Sequence, residues 1–135
     1  MFAGSVRKAV LVAVLLVAGV ALADALQNQK ILEKFAQLEQ QYTLPSGIMA
    51  KFAKIESNGN ASAQAGGGSS AAGLFQWTAR PWVEFTRNMY GTAKPLAARF
   101  NPTIASEVTA VRMKTAQNRL GGLIRQANID MTVGL

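Results

Sequence analysis

The chain has 135 residues, half of them hydrophobic, with 14 Lys and Arg against 7 Asp and Glu and neither histidine nor cysteine. That length supports one small domain. The missing residue types exclude a Ser-His-Asp triad, a Cys-His dyad, an ordinary zinc site and any disulfide. Any catalysis has to draw on carboxylates, hydroxyls, amides, Lys, Arg or Tyr.

Arg7 and Lys8 precede an uncharged run from Ala9 to Ala23, and Ala21-Leu22-Ala23 is a small-x-small site just before Asp24. That order reads as a secretory signal, residues 1–23, cleaved after Ala23. The run falls short of the roughly 20 apolar residues that a spanning helix needs. The other reading is an uncleaved anchor that ties the chain to a membrane. Both put residues 24–135 outside the cytoplasm, in a periplasm or cell envelope, or on a virion if the source is a phage. Residues 24–135 hold 12 basic and 7 acidic side chains, a net charge of +5. A cationic surface suits anionic envelope polymers. The basic residues are scattered, so no specific nucleic-acid partner is expected, and a solvated cationic face is the plainer reading.

Residues 24–43 read as an amphipathic helix, with Ile31, Phe35, Leu38 and Tyr42 on one face. Leu44-Pro45-Ser46-Gly47 breaks it and starts a second helix, since Pro is well placed in a first turn. Ile48, Phe52 and Ile55 form the expected buried stripe of that helix, and Glu56 is expected on its apolar edge. Asn58-Gly59 stops it with a left-handed cap. A carboxyl group there lies at the negative end of the helix dipole. Asn60 to Ser70 is a loop by composition. Its Gly66-Gly67-Gly68 either admits a bulky ligand to the backbone or serves as a plain linker.

Thr78 is the expected cap of a third helix with a Trp82, Phe85, Met89 stripe, ending at Tyr90-Gly91. Asn101 caps and Pro102 opens a fourth, with Ile104, Val108, Val111 and Thr115 on one face. Leu120-Gly121-Gly122 is expected to stop or kink it before a short continuation. No alternating β-branched run appears. The fold class is all-α: a small helical domain over residues 44–135, preceded by the signal or anchor helix.

Glu56-Ser57, the small-residue loop and Gly73-Leu74-Phe75-Gln76-Trp77 together resemble the lysozyme-like lytic transglycosylases of the SLT type. Leu44-Pro45-x-Gly47-Ile48-Met49 resembles that family's lead into its catalytic helix. Tyr90-Gly91, Asn101-Pro102 and the Thr109-Ala110…Asn118-x-Leu120 helix resemble its exported phage and proteobacterial members. The resemblance covers about Leu44 to Asn128. It implies a lysozyme-like fold and a peptidoglycan glycan strand as substrate, cut at the β-1,4 bond between N-acetylmuramic acid and N-acetylglucosamine. Carried over residue by residue, Glu56 matches the catalytic acid/base, Gln76 the groove amide and Phe75 the neighbouring wall. Ser57 and a loop serine, Ser69 or Ser70, match substrate-binding positions, and Tyr90 stands where a groove tyrosine could be supplied. The family's Ala-Tyr-Asn-Ala-Gly motif is absent and the domain reads as C-terminally abbreviated. Each residue also has a plainer reading: Glu56 as a surface glutamate, Gln76 as a buried amide, Trp77 and Trp82 as core, Tyr90 as helix-end packing.

The common hydrolytic route needs two carboxylates that flank the bond. Glu84 alone follows the motif closely, and it falls off the Trp82 face. A one-carboxylate route with Glu56 fits better: the muramoyl N-acetyl group is the internal nucleophile, and a 1,6-anhydro product forms with no metal or cofactor. The alternatives are a muramidase that uses an activated water, and a non-catalytic envelope or virion structural protein that kept the fold.

Overall fold

A computed structural model describes residues 26–133, so the signal or anchor segment lies outside the described residues. Four α-helices and one 3-10 helix make up the described chain: α1 over residues 26–41, α2 Ile48–Ser57, α3 Ala79–Tyr90, the 3-10 helix Leu96–Phe100, and α4 Pro102–Val133. No helix among the described residues is long and apolar enough to cross a membrane. Contacts divide the chain into two units that meet at Glu33 and Lys34. In the first, Leu26 and Leu32 are exposed and Gln29 donates to Glu33 at 3.0 Å. The second holds the core.

That core is built around Trp82, Met49, Leu74 and Val108, all essentially without solvent contact. Side chains of this size each contribute about 1.5–3 kcal/mol when fully buried. The far half of α1 adds Phe35 and Leu38. It also adds Glu39, a buried carboxylate whose Oε2 accepts from Gly47 N at 2.8 Å and whose Oε1 accepts from Met49 N at 3.0 Å. Gly47, the N-cap of α2, has no side chain to cap with. Glu39 therefore satisfies the orphan N–H groups from outside the helix, where negative charge also complements the dipole.

The buried face of α2 is Met49 and Ala53, not the expected Ile48, Phe52, Ile55 stripe. Ile55 is 79% exposed and Phe52 39%. Both stripes satisfy helical spacing, and the smaller Ala53 lets α2 approach the core closely. The helix ends as its sequence suggests. Asn58 and Gly59 both take left-handed conformations, and Gly59 N donates back to Ala53 O at 3.1 Å.

In α3, Trp82 and Thr86 are buried, while Phe85 and Met89 are half-buried. Thr78 makes no side-chain cap. The Ser70 hydroxyl, from across the loop, accepts from Ala79 N at 3.0 Å instead. Asn101 does cap α4, accepting from Thr103 N and Ile104 N at 3.0 and 3.1 Å. The buried face of α4 is small: Ala105, Ser106, Val108, Thr109 and Ala110. Thr115 is exposed. Gly121-Gly122 does not stop the helix, which runs through to Val133. Each glycine costs a helix only about 1 kcal/mol, and the good helix formers on both sides carry the turn.

Candidate active site

A pocket of about 410 Å³ opens between the end of α2, the segment Phe75–Thr78, the start of α3 and one face of α4. Ligand sites commonly run from roughly 300 to 1,000 Å³. Phe52 and Glu56 come from α2, Pro81 from α3, and Thr109, Arg112, Met113 and Ala116 from α4. The last four are spaced i, i+3, i+4 and i+7, which places them on one helical face.

The segment that closes the pocket folds without a regular strand. Ala72 forms isolated antiparallel bridges with both Gln64 and Trp77. Between the bridges, residues 73–76 turn tightly, with Gln76 N donating to Gly73 O at 3.2 Å. Gly73 has φ +80°, and a Cβ there would stand 2.0 Å from the Arg99 carbonyl oxygen. Only glycine fits so close an approach. Gln76 also lies in the left-handed region, at φ 50°, which costs a non-glycine residue about 1 kcal/mol or more. Its side-chain amide offsets that cost by donating to Gly73 O at 2.9 Å and Ala63 O at 3.3 Å.

Arg99, on the 3-10 helix, fastens the ends of this segment. It is only 8% exposed. Its Nη1 donates to the carbonyl oxygens of Ser70 and Trp77, and its Nε to Leu96 O at 2.9 Å. All its hydrogen-bond partners are backbone carbonyls. Lys and Arg are seldom buried, so nothing in the sequence pattern marks this one.

Phe75 is buried and packs against Phe35 (ring centroids 5.7 Å apart) and in stacked fashion against Phe52 (6.2 Å). Trp77 is equally fixed. Its Nε1 donates to Thr109 Oγ1 at 2.8 Å, Trp82 meets it edge-on and Phe85 packs at 5.6 Å. The pocket therefore has two rigid aromatic surfaces on a polar scaffold that leaves no buried side-chain donor or acceptor unpartnered among the described residues.

Glu56 stands at the last turn of α2 and lines the pocket, but it is exposed rather than held on an apolar edge as its spacing suggested. It is the one carboxylate among the lining residues. Of the other described acids, Glu33 accepts from Gln29, Glu39 caps α2, Glu84 pairs with Arg80 at 2.8 Å, and Glu107 pairs with Lys34 at 2.8 Å.

The structure brings Glu56, Phe75 and Gln76 to the pocket. It places the other singled-out residues elsewhere. The Ser57 hydroxyl faces the backbone, with Leu74 O at 2.8 Å and Ala53 O at 3.1 Å. Ser69 Oγ accepts from Ala71 N, and Ser70 Oγ caps α3. Gly66, Gly67 and Gly68 are exposed with open space around them and do not line the pocket. The glycine that a close approach requires is Gly73, and there the approaching group is the Arg99 backbone carbonyl rather than a ligand.

Tyr90 ends α3 away from the pocket, with the Lys94 ammonium 4.6 Å from its ring centre. Partial burial pushes its hydroxyl above the ordinary tyrosine range, and the Glu107 carboxylate and Tyr42 add to the shift. Thr109 and Arg112 were not legible as site residues. They reach Trp77 across more than thirty positions of sequence, and a helical face shows in the sequence only when its residues differ sharply in polarity from their neighbours.

No curated protein and no solved structure matches the chain. The family model described as the transglycosylase SLT domain matches residues 33–130. The match takes in the core-forming half of α1, the whole pocket and nearly all of α4. The chain belongs to the transglycosylase SLT domain family, the peptidoglycan lytic transglycosylases.

Proposed function

We propose that this protein is an exported lytic transglycosylase that cuts the β-1,4 bond between N-acetylmuramic acid and N-acetylglucosamine with Glu56 as its single acid/base. The observation that carries this reading is the solitary carboxylate on the pocket wall. A two-carboxylate hydrolytic scheme has no second group to draw on there. The next acid after it in sequence, Glu84, is exposed and paired with Arg80.

In this scheme the protonated Glu56 carboxyl gives its proton to the glycosidic oxygen as the C1–O bond breaks. The carbonyl oxygen of the muramoyl N-acetyl group attacks C1 from the opposite side. Glu56, now a carboxylate, removes the proton from the muramoyl 6-hydroxyl. O6 then attacks C1, displaces the acetamido oxygen and closes the 1,6-anhydro ring. The proton lent in the first half returns in the second, so no water is consumed. Glu56 is open to solvent before the strand binds, and the strand that covers it completes the water-poor setting in which proton transfer to a sugar oxygen is efficient. Phe52 and Phe75 offer an apolar wall to the sugar rings.

Export rests on the Arg7-Lys8 to Ala23 segment, and N-terminal sequencing of mature protein that begins at Asp24 would support it. The chemistry is tested by mass spectrometry of the products released from purified peptidoglycan. Anhydro-muramoyl ends are expected, and Glu56→Gln should abolish their release. Reducing ends would make the enzyme a muramidase, and intact strands would make it a binding protein.

A further inference from the structure

The pocket holds one positive charge that the cleavage scheme leaves unused. Glu56 and Arg112 are its only ionisable lining residues. Arg112 lays its guanidinium on the Trp77 ring, with Cζ 4.5 Å from the ring centre. Trp77 is a fixed support: it is 4% exposed, hydrogen-bonded to Thr109 and wedged against Trp82 and Phe85. Among the described residues Arg112 makes no ion pair and no hydrogen bond, the two ion pairs being Lys34–Glu107 and Arg80–Glu84. A guanidinium held over a ring by cation–π attraction still has N–H donors to offer a ligand. Those donors form a fork that matches a carboxylate through two parallel bonds.

The neighbouring polar groups carry no positive charge: the Gln76 amide nitrogen is committed to two backbone carbonyls, and the Thr109 hydroxyl, which accepts from the Trp77 indole, is neutral like that of Thr78.

We propose that Arg112, held on Trp77, is a carboxylate subsite in the same pocket as Glu56, and that it sets the register of the bound strand. The proposal rests on the peptidoglycan reading above. Along such a strand the N-acetylglucosamine rings carry no charge. Carboxylates occur on the muramoyl side, on the peptide stem or, where no stem is attached, at the 3-O-lactyl group. A cation fixed in the same pocket as the acid/base thus distinguishes the two alternating sugars and favours the register that presents a muramoyl C1 to Glu56.

The test is equilibrium binding of soluble glycan strands to full-length Glu56→Gln protein, with and without Arg112→Gln. The same strands are also used after their carboxyl groups have been converted to neutral amides. Removing either the guanidinium or the carboxylates should weaken binding about tenfold, as for one solvent-accessible charge-assisted pair. Removing both should weaken it no further, because both changes delete the same contact. Additive losses, or no loss from Arg112→Gln, would overturn the subsite.

Stripping the stem frees the lactyl carboxylate, which a stem-bearing strand holds as the neutral amide that joins the stem. Coupling seen only on stem-bearing strands assigns the contact to the stem carboxylates, and coupling seen only on stripped strands assigns it to a free lactyl group. Failure of the underlying reading looks different: wild-type protein would neither bind nor cleave unmodified strands, and both proposals would fall. Normal cleavage with no coupling would remove the subsite alone.

Discussion

The hydroxyl of Ser57 donates to the carbonyl oxygen of Leu74 at 2.8 Å, joining the end of α2 to the turn that carries Phe75 and Gln76. Ser57 follows Glu56 directly, so this bond ties the backbone that carries the Glu56 carboxyl group to the turn that carries Phe75 and Gln76. Ser57→Ala removes it and leaves the Leu74 carbonyl without that donor. The expected loss is about 1 kcal/mol of stability, read as a lower midpoint in urea. Cleavage should suffer more than stability does. We expect kcat to fall at least tenfold with KM little changed, because small misplacements of a reacting group are costly. A variant with normal kcat would show that the bond serves the fold alone.

Gly73 and Gly66 make opposite predictions although both lie in the same loop. At Gly73 a Cβ would collide with the Arg99 carbonyl, and φ is +80°. Gly73→Ala must displace the 3-10 helix or the turn, and should cost about 3 kcal/mol or more. At Gly66 a Cβ meets nothing within 4 Å and φ is not positive. Gly66→Ala should be neutral or stabilise by about 0.4–1 kcal/mol through the unfolded chain. Thermal melts of the two variants check both signs at once.

Much of this was legible in the sequence, and the limits have physical causes. Glu56-Ser57 and the Gly73–Trp77 run marked the pocket because their residue types carry chemistry. Asn101-Pro102 marked the start of α4 because capping is local. The α2 stripe was misread because two apolar faces competed, Met49/Ala53 and Phe52/Ile55, and only tertiary packing chose between them. The triple glycine drew attention away from Gly73, where the contact that demands glycine comes from a residue far along the chain. Arg99 gave no signal, since its partners are backbone carbonyls that any sequence would supply. The α3 cap fell to Ser70 rather than Thr78 for the same reason: loop geometry, not adjacency, decided which hydroxyl reached Ala79.

Tyr90 gives a pH-dependent prediction. Its hydroxyl titrates above the ordinary value in the folded protein, through burial first and then Glu107 and Tyr42. The unfolded chain ionises near pH 10, so above that pH it gives up a proton that the folded chain still holds. The stability tied to the neutral hydroxyl is fully present below pH 10 and is lost as pH rises through the raised folded value. Tyr90→Phe removes this dependence. Melting temperatures between pH 8 and pH 11 should fall less steeply for the variant than for wild type, and parallel curves would deny the shift. Tyr90 is largely open to water, so the effect should be modest.

Glu39 supports the far end of the helix that carries Glu56. Its two carboxylate oxygens accept from Gly47 N and Met49 N, the orphan donors at the start of α2. Glu39→Ala deletes both bonds in a buried setting and should cost about 2–3 kcal/mol. Glu39→Gln keeps the shape and one acceptor oxygen, but turns an NH2 group toward the other N–H, so about half that loss is expected. The last turn of α2 is held separately, by the Ser57 bond to Leu74 and by Gly59 donating to Ala53. The Glu39 variants should therefore lose stability while keeping near-normal kcat on peptidoglycan at temperatures where they remain folded. This is the reverse of the Ser57→Ala pattern. Chemical denaturation beside initial cleavage rates separates the two cases. A kcat for Glu39→Ala that falls as far as that of Ser57→Ala would mean that α2 moves as one body, and that Glu56 is positioned from both of its ends.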